Sequence, residues 1–323
     1  MDQSTRSAYL VFYNVENLYD VNDDPSTGDN EFLPRSKRAW AIGRYHHKLR
    51  QLARVIRYCG EPLPLITGLA EVENRKVLHD LILAMGLTED RAGIIHVDSP
   101  DERGMDVAMI YDRRLFNPVR MEALRVCITS DPEDATRDIL YVEGRVGDRV
   151  RSGDVPNLHV YVNHWPSRRE GDEATRSKRL DAGQTLQKHI NQLLDDDPGA
   201  NIVVMGDFNA TPEDAPVRHL LDWEHGNDGM LVNLSWEAFR QGSGSTCYRR
   251  RWLLFDQILA SPGLMKAEQI MQIDAASFQI IKEPWMLYQN PVYKDNRPDR
   301  TYGGRRYQGG YSDHLPVRVR LLF

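Results

Sequence analysis

Short apolar runs alternate along this chain with stretches of helical periodicity, and each kind of stretch predicts a different element. The apolar runs predict strands at residues 9–13, 65–69, 107–111, 139–146, 158–162, 202–205, 255–260 and 317–323. Helical spacing predicts one helix from Ser36, as its N-cap, to Gly60, and further helices near 74–85 and over 173–194. Strands and helices mixed in this way predict an α/β protein in which helices cover the sheets.

Length and composition narrow the class of protein. The chain has 323 residues without an evident repeat or linker, and we expect residues 1–323 to form a single domain. Its content of 41% hydrophobic and 27% charged residues is typical of a soluble globular protein. No apolar run approaches the roughly 18 residues of a membrane-spanning helix, and no signal peptide is visible. These features favour the cytoplasm, or a secreted or periplasmic location if a leader was removed, and none indicates an obligate protein partner.

Charge and cysteine content limit the chemistry. The formal net charge of −6 argues against a tight, processive binder of long nucleic acid, but not against an enzyme that uses local arginines. The three cysteines, Cys59, Cys127 and Cys247, cannot all pair within one chain, and none lies at metal-ligand spacing.

Polar side chains stand at the ends of two predicted strands. Asp207 and Asn209 follow the run at 202–205, and Asp313 and His314 precede the last strand. Residues i and i+2 of an extended chain point the same way, so Asp207 and Asn209 share one side. Carboxylate and amide oxygens suit a hard divalent metal, and a nearby histidine supplies a titratable base. This combination predicts the hydrolysis of a phosphate ester.

Further polar residues lie at or just after other predicted strands. They are Asn14, Glu16, Glu71, Asp106, Asn163, His164, Arg168 and Asp256. Singly, each has an ordinary structural interpretation as a turn, a helix cap or a strand-edge acid. As an ordered set they point to one site.

This ordered set resembles the endonuclease/exonuclease/phosphatase superfamily, which includes deoxyribonuclease I, exonuclease III-type endonucleases, neutral sphingomyelinases and inositol-polyphosphate 5-phosphatases. The resemblance runs from Asn14 to Pro316, and its most specific pieces are Gly206-Asp207-Phe208-Asn209 and Ser312-Asp313-His314-Leu315-Pro316. It implies a four-layer sandwich, in which two mixed β-sheets pack face to face with helices on the outside.

The resemblance also implies a role for each residue. Glu71 is the expected principal ligand of Mg²⁺ or Mn²⁺, with Asn14, Glu16 and Asp313 at the same metal site. Asp207 and Asn209 would orient the attacking water and contact the phosphate, and Asp256 would hold His314. His164 matches the second histidine of the deoxyribonuclease I-like branch, with Asp106 as its orienting acid. The expected substrate-binding residues are Asn163, Arg168, Arg305 and Arg306.

The resulting prediction is a Mg²⁺-dependent phosphodiesterase that acts on nucleic acid or nucleotides. The alternatives are a phosphomonoesterase, a phospholipid or inositol-phosphate hydrolase of the same fold, and a binding module that has lost catalysis. Residues 286–312 lack periodicity and interleave arginines, including Arg305 and Arg306, with tyrosines. Because this stretch runs directly into Asp313 and His314, we expect it to be a loop that contacts the substrate.

Overall fold

We describe a computed structural model of the chain. The structure describes residues 6–147, 156–169, 171–221, 230–266, 269–292 and 295–323.

The described residues form two large sheets, several short hairpins and five α-helices. The strands are β1 Ser7–Leu18, β2 Ile66–Val72, β3 Ala92–His96, β4 Asp106–Asp112, β5 Phe116–Leu124, β6 Ile139–Val146, β7 Asn157–His164, β8 Asn201–Asp207, β9 Val232–Asn233, β10 Thr246–Tyr248, β11 Arg251–Leu253, β12 Asp256–Ala260, β13 Gln272–Ile280, β14 Leu287–Gln289, β15 Asn296–Pro298, β16 Tyr302–Gly303, β17 Arg306–Tyr307 and β18 Val317–Leu322. The helices are α1 Ile42–Cys59, α2 Arg75–Ala84, α3 Asp172–Asp196, α4 Ala215–Arg218 and α5 Trp236–Arg240.

Each large sheet contains six strands and mixes parallel with antiparallel pairing. The first sheet has the order β13-β18-β1-β2-β4-β3, in which β1 is parallel to β2 and antiparallel to β18. The second has the order β5-β6-β7-β8-β12-β9, in which β7 is parallel to β8 and β8 is antiparallel to β12. The central strands β1 and β8 therefore have partners on both sides.

Alternation along the central strands creates three separate cores. On β1, Leu10 and Phe12 face the core between the sheets, whereas Val11 and Tyr13 face the core under α1 and α2. On the far side, α3 packs on the second sheet through residues such as Leu186. The layers are thus helices, sheet, sheet and helix. This arrangement confirms the prediction of a four-layer sandwich with two mixed sheets. No helix of the described residues has the length and apolar character needed to span a membrane.

Helix α1 begins later than its predicted N-cap. Ser36 lies in a turn, where its Oγ donates to the carbonyl of Glu31 at 2.6 Å, and the cap position belongs to Ala41. Ala39 has a φ of 48°, which interrupts the helical conformation between Ser36 and α1. The predicted N-cap was therefore wrong by five residues, although the end of the helix at Gly60 is confirmed.

Strands β3, β5 and β13 were not predicted, because their patterns are weak. β5 is an edge strand that contains Pro118, and most of its side chains are exposed or half-buried. The predicted loop at 286–312 also contains ordered pairs, because β14 pairs with β15 and β16 pairs with β17.

The β16–β17 hairpin rests on α1 through a buried lysine. Lys48 is 1% exposed, and its Nζ donates to Thr301 Oγ1 and to the carbonyl of Tyr311, both at 2.6 Å. The same Nζ lies 3.9 Å from Glu16 Oε2 on β1. Burial lowers the pKa of Lys48, and the charge of Glu16 opposes this shift. A charged lysine in this position needs all of these oxygen partners.

We expect Lys48→Ala to lower the free energy of unfolding by about 3 kcal/mol, because it leaves Glu16 and two oxygens buried without their partner. Lys37→Ala, which removes an exposed lysine, should change it by about 0.5 kcal/mol or less. Urea denaturation in excess chelator measures both values. Equal effects of the two substitutions would show that Lys48 does not hold the hairpin.

Candidate active site

The candidate site lies where strand ends of the two sheets meet. In the second sheet, Asp207 at the end of β8 is in register with His164 of β7 and with Asp256 of β12. In the first sheet, Asn14 of β1 lies beside β2, which ends next to Glu71. Asn14 Nδ2 donates to Asp207 Oδ2 at 3.0 Å and so joins the two sheets.

The backbone turns sharply where Glu71 is presented. Its φ is 63°, and the register of β2 against β4 shifts between Ala70 and Val72, as in a β-bulge. Glu71 Oε2 accepts a hydrogen bond from the backbone N–H of Asn17 at 2.8 Å. Its Oε1 receives a long contact of 3.4 Å from Asn14 Nδ2. The Oε1 atom therefore retains acceptor capacity toward the cleft.

A histidine and a buried acid form a close pair on the opposite side. His314 Nδ1 lies 2.7 Å from Asp256 Oδ2, which also accepts from the hydroxyl of Ser245. Burial lowers the pKa of His314, but the carboxylates of Asp256 and Asp207 outweigh it and raise that pKa well above 6.5. The imidazolium directs its other nitrogen, Nε2, toward Asp207 Oδ2 at 3.7 Å. This pair can donate a proton to, or hydrogen-bond, an anionic oxygen.

Asp207 lies at the centre of the site, next to Asn14, His164 and His314. Its Oδ1 accepts from the backbone N–H of Asn209 at 2.9 Å, and it is almost fully buried. Burial raises its pKa to about 6, against the opposing charge of His314. A carboxylate with a raised pKa is a better proton acceptor near neutral pH. Asn209 has a φ of 46° and donates its side-chain N–H to the carbonyl of Trp165 at 2.9 Å, which fixes its position.

His164 faces both carboxylates but remains neutral. Its Nε2 lies 3.9 Å from Glu71 Oε1 and 3.8 Å from Asp207 Oδ2. Burial lowers the pKa of His164 well below 6.5, and the positive charge of Arg137 adds to the shift. Arg137 Nη2 lies 3.3 Å from the same Nε2. The other nitrogen, Nδ1, is buried without a hydrogen-bond partner among the described residues.

Sequence reasoning missed two arginines of the site. Arg137 is nearly buried between His164 and Asp101, whose Oδ2 lies 3.3 Å from its Nη1. Arg103 donates to Asn17 Oδ1 and lies close enough to Glu71 for their charges to attract. Both arginines stand in loops outside any strand-end motif, so the pattern of apolar runs carries no signal for them.

Several predicted site residues have other contacts. Asp106 does not reach His164; its Oδ2 lies 2.9 Å from His96 Nε2, and its Oδ1 accepts from Ser99. Asn163 points away from the cleft, since its Oδ1 accepts from the indole of Trp165 and its Nδ2 donates to a backbone carbonyl. Asp106, the predicted orienting acid, and Asn163, a predicted substrate-binding residue, are therefore not brought to the site.

Glu16 and Arg168 are also engaged elsewhere. Glu16 Oε2 accepts from the backbone N–H of Thr301 at 2.7 Å, and burial followed by the charge of Asp313 raises the pKa of Glu16 to about 7. Arg168 donates to the carbonyl of Asn209 at 2.7 Å and to Asp214 at 2.5 Å. Arg168 therefore supports the loop after β8 and leaves limited capacity for a substrate.

The remaining predicted residues lie on the rim. The side chain of Asp313 is about one-third exposed, and its carboxylate lies 3.5 Å from the guanidinium of Arg300. Asp313 directly precedes His314 in the sequence. Arg305 and Arg306 are exposed at the β16–β17 turn. The site thus combines Asn14, Glu71, His164, Asp207, Asn209, Asp256 and His314, with Asp313 at its edge.

The donor set fits a hard divalent cation. Glu71 Oε1 has spare acceptor capacity. His164 Nε2 lies 3.9 Å from this atom and 3.8 Å from Asp207 Oδ2, so both carboxylates are close to the same imidazole. Oxygen donors of this kind suit Mg²⁺ or Mn²⁺ better than a soft metal. Asp207, Asp256 and His314 also offer ligand atoms within 4.8 Å of one another. Asp256 is already bonded to His314 and Ser245, however, and this leaves Glu71 as the better ligand.

Known proteins share this fold and most of its length. The model of the Endonuclease/Exonuclease/phosphatase family matches residues 9–322. No curated protein matches the chain. Similar solved structures include an endonuclease/exonuclease/phosphatase family protein from Bacteroides thetaiotaomicron, with 15% identity, 99% of both chains covered and a TM-score of 0.57.

Two further solved structures bear named activities or ligands. The catalytic domain of human nocturnin with a bound sulfate anion shares 14% identity over 98% of this chain and 94% of that one, with a TM-score of 0.57. A mannosyl-6-phosphatase from Bacteroides thetaiotaomicron shares 14% identity over 98% of this chain and 100% of that one, also with a TM-score of 0.57. Identities this low show the fold alone. Because the family model spans nearly the whole sequence, the chain belongs to the endonuclease/exonuclease/phosphatase family of phosphoesterases.

Proposed function

We propose that the protein is a Mg²⁺-dependent phosphodiesterase that hydrolyses its substrate with water, and that its diester belongs to a nucleic acid or nucleotide. The observation that carries the proposal is the hydrogen bond from Asn14 to Asp207, which joins the two sheets at the point where Glu71 lies 3.9 Å from His164 and Asp207 lies 3.7 Å from His314. We also infer that residues 1–323 form one catalytic domain, because the first strand pairs with the last.

The metal would be held principally by Glu71, with Asn14 and Asp313 beside it, and Asp207 would stay free to accept a proton. When bound, Mg²⁺ withdraws electron density from a phosphoryl oxygen and makes phosphorus more electrophilic. Asn14 bridges the carboxylates of Glu71 and Asp207, since its amide Nδ2 donates to both of them. The role of Glu16 in this scheme is indirect, because its carboxylate faces Thr301 and Lys48.

Proton transfer falls to Asp207 and to the pair of Asp256 and His314. Asp207, with its pKa raised to about 6, can accept the proton of the attacking water. Asp256 keeps His314 protonated, so Nε2 can hydrogen-bond the phosphate as negative charge accumulates on its oxygens. Arg137, which lies beside His164, supplies further positive charge. No side chain needs to form a covalent intermediate in this mechanism.

A substrate panel tests the proposed activity. Purified protein with Mg²⁺ is incubated with bis-p-nitrophenyl phosphate, p-nitrophenyl phosphate and a single-stranded oligonucleotide. We expect the two diesters to be hydrolysed faster than the monoester. Preference for the monoester would favour a phosphomonoesterase, the activity named for one structural neighbour. Failure on all three would favour a phospholipid or inositol-phosphate substrate, or a binding module.

Removing the principal metal ligand should abolish most of the activity without unfolding the protein. We expect Glu71→Gln, like excess chelator, to lower kcat by about a hundredfold or more, because the substitution keeps the shape but removes the charge that holds the cation. The control is Glu133→Gln, which neutralises an exposed glutamate. Kinetics with added Mg²⁺ or Mn²⁺ and thermal melting measure the effect. Full activity in chelator would contradict the metal requirement.

Asp256 and His314 should act as one unit, because they are 2.7 Å apart. We expect Asp256→Asn and His314→Ala each to lower kcat by about a hundredfold. The double variant should lose little more than the worse single variant. Ser245→Ala removes the second donor to Asp256 and should have a smaller effect. Multiplicative losses in the double variant would show that the two residues act independently.

Arg137 should keep His164 neutral as well as bind phosphate. We expect Arg137→Gln to lower kcat/KM by about tenfold or more, because charge stabilisation at the phosphate is lost. The substitution should also raise the pKa of His164 toward 6.5, because a neighbouring positive charge disfavours the imidazolium. Histidine-ring NMR titration in excess chelator measures that pKa. An unchanged His164 titration would show that burial alone sets it.

A further inference from the structure

Positive charge is concentrated in one segment of an acidic chain. Residues 32–60 contain eight Lys or Arg residues and no Asp or Glu, whereas the chain as a whole carries a formal charge of −6. The segment includes α1 and the turn before it. A strongly basic segment within an acidic protein indicates a localised surface for anions.

Most of these cations reach the surface. Arg35, Lys37 and Arg50 are exposed, and none of the three has an ion pair with a described residue. Lys48 is the exception, since it is buried under the β16–β17 hairpin. Arg57 is paired with Glu61 at 3.0 Å, so we leave it out of the surface.

The β16–β17 hairpin adds two more arginines to the same face. Arg38 Nη1 donates to the carbonyl of Gly304 at 3.1 Å, and the guanidinium of Arg44 lies 4.4 Å from the ring centre of Tyr307. These contacts hold the Gly304 turn against α1 and the segment before it. Arg305 and Arg306, in and just after this turn, are exposed and have no ion pair with any described residue. The α1 basic surface, as we call it, consists of Arg35, Lys37, Arg44, Arg50, Arg305 and Arg306.

The β16–β17 hairpin joins the α1 basic surface to the edge of the candidate active site. The hairpin starts at Thr301, whose backbone N–H donates to Glu16 on β1, and its neighbour Arg300 lies 3.5 Å from Asp313. Arg305 stands four positions after Thr301, so an extended chain spans at most about 14 Å between them. That distance corresponds to only a few nucleotides of a polymer.

We propose that the α1 basic surface binds the backbone phosphates of a single-stranded nucleic acid whose scissile phosphodiester lies in the active site. The proposal rests on the proposed phosphodiesterase function and extends its substrate from a small diester to a polynucleotide. Five of the six cations are arginines, whose planar guanidinium matches phosphate geometry better than an ammonium group. Unpaired surface cations also release counterions when phosphates bind, which provides the affinity.

An anionic membrane surface matches the same charge less well. Peripheral membrane binding combines cations with apolar side chains that insert into the interface. Across residues 32–60 and 300–311, the exposed large apolar side chains are Ile42 and Tyr58, and the hydroxyl of Tyr58 donates to Glu283. The charge therefore lacks an accompanying apolar face.

Binding is measured first, separately from catalysis. A fluorescent single-stranded 30-mer is titrated with Glu71→Gln protein in excess chelator, with and without the added triple substitution Arg50→Gln/Arg305→Gln/Arg306→Gln. We expect the triple substitution to weaken binding about tenfold or more at low salt and to lower the salt slope by about 2, at roughly 0.7 for each lost phosphate contact. The matched control is Arg145→Gln/Arg176→Gln/Arg218→Gln, which removes three exposed arginines from the layers of the second sheet and should have little effect.

Turnover then links the surface to the active site. The triple substitution is then introduced into the active protein, and kcat/KM is measured for the 30-mer and for bis-p-nitrophenyl phosphate. We expect the first value divided by the second to fall about tenfold, because KM for the 30-mer rises. Equal binding by the triple and control variants overturns the proposal, as does binding of phosphatidylserine vesicles without binding of the 30-mer. If the 30-mer binds through these arginines but no diester is hydrolysed, the surface stands and the proposed phosphodiesterase function fails.

Discussion

The candidate site depends on one hydrogen bond between the two sheets. Asn14 Nδ2, on the first sheet, donates to Asp207 Oδ2, on the second, at 3.0 Å, and both residues are buried. Two sheets packed face to face are otherwise held by apolar contacts, which are not directional. The Asn14 amide sets the relative position of the strand ends, and Glu71 and the two histidines follow from it. Inside a low-dielectric region such a bond to a carboxylate is stronger than it would be in water.

Backbone strain is concentrated around the same point. Glu16, Asn17, Glu71 and Asn209 all have φ values between 46° and 63°, which are uncommon for residues other than glycine. Each of them lies at or near the end of a central strand, where the chain must leave the sheet and still present a polar side chain. Such conformations cost energy and persist when surrounding contacts fix them. The hydrogen bonds to Glu71 and Asp207 from backbone N–H groups are contacts of this kind.

The strand-end acids could be predicted from the residues themselves, because buried central strands have continuous apolar runs and their polar ends stand out. The apolar runs alone predicted only sheets covered by helices, and the four-layer sandwich followed from the resemblance to the family. The sequence could not predict β5, an edge strand with few buried positions, or the start of α1, where the turn at Ala39 depends on tertiary contacts. Arg137 was missed because its role comes from contact with His164, far away in sequence. Asp106 was assigned to the wrong histidine for the same reason, since strand pairing places His96 nearer.

The buried charges around Glu16 connect the β16–β17 hairpin to the candidate active site. Glu16 accepts from Thr301 at the base of the β16–β17 hairpin, lies 3.9 Å from Lys48 and is electrostatically coupled to Asp313. A movement of the hairpin would change the surroundings of this carboxylate and therefore the potential at the metal-facing edge of the site. Because an unpaired buried charge is costly, the hairpin is held in the position that satisfies both Glu16 and Lys48. The arginines that the hairpin carries are then held in place relative to the candidate active site, which is the condition that the proposed binding of a long substrate in one register requires.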